Sequence, residues 1–136
     1  MMMLLGVFLG GGLGAVLRWV FGHVMKPVDL GARFDAFMQT PGTPRAHFPL
    51  GTFAANMLAC LLLGVVSTVI DHSQVEFVTL SIGFCGALGT YSTFSVELIS
   101  LCMNRQWHMA VTYAAVSTIG GLLLLSTSLV VGTVVM

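Results

Sequence analysis

Charge is what this sequence has least of. Aspartate, glutamate, lysine and arginine together supply 7% of its 136 residues, where an ordinary soluble domain carries about a quarter. A chain so short and so poor in charge cannot clothe a globule in polar surface, so lipid is its expected solvent. One domain is expected at this length. The formal net charge is zero and only five residues are basic, which leaves no positive patch for a nucleic-acid partner. Cysteine is scarce as well. Cys60, Cys85 and Cys102 each stand alone in an apolar run, with no Cys-x-x-Cys spacing and no nearby histidine. They are expected as small core residues rather than ligands or disulfides. The opening Met1-Met2-Met3-Leu4-Leu5 has no basic n-region, and the apolar run passes Arg18 without a cleavage signature, so no removed signal is expected. His23, His47, His72 and His108 all fall at span ends or in loops, without a partnered nucleophile or His-Glu-x-x-His spacing. Enzyme chemistry therefore has no visible seat.

What the chain does have is hydrophobic length. About 20 mostly apolar residues cross the hydrocarbon of a bilayer, and four stretches qualify, at about 4–24, 50–70, 75–102 and 109–135. Lipid offers no water to free backbone groups, so these spans are predicted to be helical. The fold class is an all-α integral membrane protein of four transmembrane helices. The main polar insertion, loop 25–49, holds three of the four prolines, two aspartates and three of the five basic residues between Lys26 and His47. Asp71-His72-Ser73-Gln74 separates the second and third spans. Asn104 to His108 separates the third and fourth, with Trp107 at the depth where interfacial aromatics settle.

Three places in the spans carry more than hydrophobicity. Gly6, Gly10 and Gly14 form a small-residue face on the first span, and Arg18 and Gly22 continue its four-residue step. Packing accounts for the glycines. For Arg18, a cation in a span, two readings stand: an anion-attracting vestibule, or a side chain snorkelling to a nearby interface. In the second span Asn56 follows Thr52 by one turn, with Cys60 and Gly64 on the same face. An amide in hydrocarbon needs partners, so Asn56 is either interhelical glue or a donor lining a watery path. The third span carries Gly83, Gly86 and Gly89 at every third position, then five hydroxyl residues in the six from Thr90 to Ser95. That is poor material for one continuous buried helix. It reads either as a break whose freed carbonyls can ligate a hard cation, or as a glycine-rich crossing with hydroxyls bonded to their own backbone.

With those residues in view, the chain resembles the Fluc/CrcB fluoride channels. The resemblance rests on Gly10-Gly11-Gly12-Leu13-Gly14-Ala15 with Arg18-Trp19, on Gly51-Thr52-Phe53 with Asn56, and on Gly83 to Ser95, in the family's order. It covers most of the chain; the Lys26–His47 insertion is longer than the family leads one to expect. The resemblance implies a third helix broken near its middle and an antiparallel, dual-topology dimer with two fluoride pores. It implies a structural sodium ion at the dimer centre, held by backbone carbonyls that fall on Gly86 and Gly89. Glycine at the second of these departs from the family's usual threonine. The family's paired pore phenylalanines fall on Tyr91 and Phe94, tyrosine being a second departure. Stripping water from fluoride is costly, so a pore must supply donors. Asn56, Ser92, Thr93, Tyr113 and Ser117 can do so, and aromatic rings offer a positive edge. A carboxylate on this path would repel the ion. Glu97, the one acid deep in a span, is expected near the membrane surface.

The activity implied is passive export of fluoride from the cytoplasm across the cell (inner) membrane, which lowers fluoride toxicity. Two other classes remain to be weighed: a small four-helix proton-coupled exporter, which needs an embedded carboxylate that the first span lacks, and an accessory membrane subunit, which leaves Gly83 to Ser95 unexplained. One feature bears on the second subunit. Lys26, Arg33, Arg45 and Arg105 share one side of the membrane, and the other side has no lysine or arginine. That bias favours a single orientation with both termini outside, so the partner is either an identical chain or an oppositely inserted paralogue.

Overall fold

A computed structural model of the chain describes residues 1–25, 48–72 and 74–135. The Lys26–His47 insertion, with its three basic residues, lies outside them. The regular elements among the described residues are all helical: α1 (Met2–Val24), α2 (Leu50–Val69), α3 (Val75–Val78), a π-helical segment (Thr79–Cys85), α4 (Gly86–Leu88), α5 (Tyr91–Met103) and α6 (Trp107–Val135). Four spans are long and apolar enough to cross a membrane: Met2–Val24, Leu50–Val69, Val75–Met103 and Trp107–Val135. The fourth starts at Trp107 itself, so the preceding turn is shorter than the polar run from Asn104 suggests. Arg105 closes α5 with φ 59°. From there its N–H returns to Cys102 and that of Gln106 to Leu101, a left-handed cap that satisfies the last carbonyls in two residues.

The third span is assembled from unequal pieces. Its π-helical stretch accommodates one extra residue per turn, and nothing in the apolar periodicity announces it. Ser81 donates its hydroxyl to the carbonyl of Phe77 at 2.5 Å inside this stretch. After Leu88, Gly89 (φ −74°, ψ 147°) and Thr90 (φ −144°, ψ 116°) adopt extended dihedrals before α5 begins at Tyr91.

Short turns make the second, third and fourth spans antiparallel to their neighbours in the chain, and small residues set how closely the spans pack. A Cβ built on Gly51, at the start of α2, would lie 3.0 Å from Gly22 near the end of α1. The glycine face of α1 lies on the third span. A Cβ on Gly10 would meet the Thr79 carbonyl oxygen at 2.5 Å, and one on Gly14 would press into the Phe84 carbonyl oxygen and sit 3.1 Å from the Leu88 nitrogen. The fit is reciprocal, since a Cβ on Gly83 would meet the carbonyl oxygen of Val7 at 2.9 Å. Backbone thus lies against backbone, as small residues permit between membrane helices. α2 packs along α6 on the other flank. Two apolar clusters fill the interior: Ala55, Ala59 and Leu88 in one, and Phe48, Leu101, Met109, Ala110 and Tyr113 in the other. Among the described residues, Tyr113, Leu88 and Met109 are the largest fully buried side chains.

The α1 interface predicts a contrast between neighbouring glycines. Gly14→Ala is expected to lower stability in detergent by about 1–3 kcal/mol, the usual cost of overpacking. Gly12→Ala, where a Cβ meets nothing within 4 Å, is expected to change it by less than about 0.5 kcal/mol. Thermal unfolding of the two variants side by side checks this.

Candidate functional site

Where α2, the α4–α5 junction and α6 meet, polar side chains collect in two layers. In the first, Asn56 faces the extended residues of the third span. Its Oδ1 accepts the Thr90 N–H at 2.7 Å, and its Nδ2 approaches the Thr90 carbonyl oxygen at 3.5 Å. Because a backbone N–H can only donate, this contact fixes which end of the amide is the oxygen. The second Nδ2 hydrogen is left for another acceptor. Thr90 is itself buried and is the N-cap of α5, where its Oγ1 accepts the Thr93 N–H at 3.3 Å. That hydroxyl also lies 3.1 Å from Thr93 Oγ1 and 3.2 Å from Ser92 Oγ. A hydroxyl cap of this kind satisfies one of the four orphan donors that open every helix.

The second layer stands one turn of α2 away, about 6 Å along its axis. Here Thr52 donates to Glu97 Oε1 at 2.7 Å, and Tyr113 donates its phenolic hydroxyl to Glu97 Oε2 at 2.8 Å. Both carboxyl oxygens are therefore engaged, one from α2 and one from α6. Glu97 is half-buried and joins three spans, level with Thr52 in the first turn of α2. Phe94 links the layers: its ring lies 5.0 Å from that of Tyr113 and 6.4 Å from that of Tyr91, centroid to centroid. Phe48 closes the far side of Tyr113 edge-on at 5.1 Å.

Above these contacts opens a cavity of about 360 Å³, lined by Asn56, Gly89, Thr90, Tyr91, Phe94 and Ser117, with Cys60 and Met57 on its apolar wall. Ser117 is 8% exposed, and among the described residues its Oγ has no hydrogen-bond partner. A buried hydroxyl left so costs about 1–3 kcal/mol unless something in the cavity satisfies it.

Of the residues singled out in the sequence, Asn56, Tyr91, Phe94, Ser117 and Gly89 meet at this cavity. Ser92 and Thr93 are exposed at the start of α5, tied to the Thr90 hydroxyl. Tyr113 is wholly buried and spends its hydroxyl on Glu97. Gly86 is exposed three residues before Gly89. Arg18 is half-buried on α1, beside Trp19, whose ring stacks on His23 at 5.3 Å, and it does not line the cavity. The three cysteines are free thiols. Sequence reasoning missed Thr90, hidden among hydroxyl neighbours, though threonine is a favoured residue at the start of a helix. It also missed the pairing of Thr52 with Glu97, for which sequence offers no sign beyond an acid in a span.

Comparison with known proteins now decides the lineage. A family model described as CrcB-like protein, Camphor Resistance (CrcB), matches residues 5–132. The chain belongs to the CrcB-like family. A curated relative from Serratia proteamaculans, named fluoride-specific ion channel FluC, is 34% identical over 89% of this chain and 86% of its own length. One of the same name from Acinetobacter baumannii is 33% identical over 88% and 85%, and FluC 2 of Rhodococcus jostii is 36% identical over 89% and 90%.

In this CrcB-like chain the Glu97 layer is expected to contribute measurably to stability. Removing one donor with Tyr113→Phe should cost about 1 kcal/mol. The double variant with Thr52→Val should depart from additivity by about 0.5 kcal/mol or more, since both donors share one carboxyl group. Chemical unfolding of the four proteins of that cycle in detergent tests the coupling.

Proposed function

We propose that this CrcB-like protein is a fluoride-selective ion channel that lets fluoride leave the cytoplasm down its electrochemical gradient across the cell (inner) membrane, and so lowers fluoride toxicity. The observation that carries the reading is the buried, unpartnered Ser117 hydroxyl on a cavity shared with Asn56 and Phe94 inside a four-span protein. The relatives' printed name, fluoride-specific ion channel, supports the choice of ion. Fluoride is small and strongly hydrated, so a passage must replace its water with donors. The Ser117 hydroxyl and the second Nδ2 hydrogen of Asn56 are suited to that task, and Tyr91 and Phe94 present rings whose edges are positive. Larger anions gain less from such donors and fit less well, as in other filters.

A second subunit belongs to the same reading. Tyr91 is 82% exposed, and Ser92 and Thr93 are exposed beside it, within a span where hydroxyls facing lipid would be costly. A partner that covers them would complete the passage. An antiparallel copy of the same chain does so if insertion is balanced, and an oppositely inserted paralogue does so if it is not. The third span would then act as a broken helix, its interruption turned inward at the subunit interface.

A structural sodium ion fits the residues at that interruption. In a continuous helix the carbonyls of Gly86 and Gly89 would accept the N–H groups of Thr90 and Thr93. Those N–H groups go instead to Asn56 Oδ1 and Thr90 Oγ1. Two carbonyl oxygens are thereby relieved of their helical donors, and hard cations take oxygen ligands of this kind. Gly86 and Gly89 would hold the ion together with the same pair from the second subunit. The ion would supply positive charge at the subunit interface.

Purified protein in liposomes is expected to release fluoride rapidly and chloride at background rates. Ser117→Ala should slow fluoride efflux by about tenfold, the equivalent of one lost donor at about 1.4 kcal/mol. Equal passage of both anions, or of neither, overturns the reading. Orientation is checked separately by placing one accessible cysteine at Asn104 in an otherwise cysteine-free chain expressed alone. Labelling from both sides of the membrane supports a homodimer, and labelling from one side supports the paralogue.

A further inference from the structure

The two hydrogen bonds at the third span do more than tidy an irregular backbone. An α-helix passing through Gly86 to Thr93 would use two specific N–H groups, those of Thr90 and Thr93, to occupy the carbonyls of Gly86 and Gly89. Both N–H groups are captured by side-chain oxygens, at 2.7 Å by Asn56 Oδ1 and at 3.3 Å by Thr90 Oγ1. Nothing comparable acts on Cys85, whose carbonyl keeps its helical donor, the Gly89 N–H, at 3.0 Å. The same break parts Ala87 and Leu88 from their helical donors, the Tyr91 and Ser92 N–H groups, but the donors that side-chain oxygens capture are those of Gly86 and Gly89.

We infer that Asn56 and the Thr90 hydroxyl are positioning residues for a sodium ion, each holding away the N–H that would otherwise occupy a carbonyl ligand. The inference rests on the sodium reading above and deepens it. It gives Asn56 a task on the cation side of the molecule, apart from any donor role towards an anion. Without the Asn56 oxygen, the Thr90 N–H would be an orphan donor, and the Gly86 carbonyl is the acceptor that a continuous helix would offer it. The two would recombine, since each unpaired buried group is costly. Rewinding that turn closes one ligand. Removing the Thr90 hydroxyl returns the Thr93 N–H to Gly89 and closes the other. Thr90→Ser keeps the acceptor oxygen and leaves both carbonyls open.

The full chain in lipid nanodiscs, titrated with sodium against N-methylglucamine at constant ionic strength, tests this through the midpoint of sodium-dependent thermal stabilisation. The wild type should be stabilised by sodium with a defined midpoint. Asn56→Leu and Thr90→Val should each raise that midpoint by about tenfold or more, one lost ligand being worth roughly that factor, while Thr90→Ser stays within about threefold. If the wild type shows no sodium-dependent stabilisation, the sodium reading and this inference fall together. If the wild type responds and Thr90→Val keeps its midpoint, the inference falls and the sodium reading stands. Should Asn56→Leu not fold, the threonine pair decides alone, because valine keeps the size and shape of threonine without its hydroxyl and serine keeps the hydroxyl. The fluoride assay reads a different ion and can succeed or fail independently of all three outcomes.

Discussion

A backbone N–H inside a membrane has to find an acceptor, because no water will serve. The structure turns on how the third span meets that demand. Gly89 and Thr90 leave helical dihedrals, and the donors this exposes are taken by an amide from α2 and a hydroxyl from the span itself. Were those two oxygens absent, the cheapest solution would be to wind the segment back into one helix. The cavity would then lose Thr90 and Gly89 from its wall. The irregular backbone and the polar residues of α2 are thus one feature seen from two helices.

That feature needs a rigid surround, and the sequence supplies it by two different means. On the α1 side the device is an absence of side chains. Gly10 and Gly14 bring α1 to within van der Waals contact of the π-helical segment and α4, and Gly83 answers from the other helix. Contact of backbone with backbone leaves little room for sliding. On the α6 side the device is polar. Glu97 accepts from α2 and α6 at once, so three spans share one carboxyl group one helical turn from the Asn56 contact. Phe94, packed on Tyr113, carries that order up to the cavity.

The sequence made the coarse outline easy to read and the fine contacts hard. Four apolar lengths in a chain with hardly any charge leave no alternative to a membrane protein of four spans, and the family match agrees in extent. The Gly6-Gly10-Gly14 step announces a packing face because its period is that of a helix. Asn56 stands out for the same reason that it is costly: an amide among leucines must bond to something. Its partner does not stand out. Thr90 is one of five hydroxyl residues in a run of six, and only its dihedrals make it the helix cap. Glu97 is the plainest limit. An isolated acid in a span gives no hint that Thr52, 45 residues earlier, and Tyr113, 16 residues later, converge on it. Local pattern encodes local winding, whereas the choice of long-range partner depends on how the spans cross. The π-helical segment lies between these cases: its glycine is visible, but its wider winding is not.

Asn56 has more hydrogen-bonding capacity than one role consumes. The oxygen is committed to the Thr90 N–H at 2.7 Å, while only one Nδ2 hydrogen approaches the Thr90 carbonyl, and that at 3.5 Å. The same side chain therefore fixes the backbone with its acceptor and keeps a donor on a cavity that Ser117 also lines. An aspartate in its place would retain the acceptor and lose the donor, and a serine would fall short of the backbone. Of the short polar residues, asparagine alone carries acceptor and donor on one rigid planar group. That planarity couples the two tasks, because any rotation that turned the donor further into the cavity would pull the oxygen off Thr90. A cavity built this way is held by its own wall.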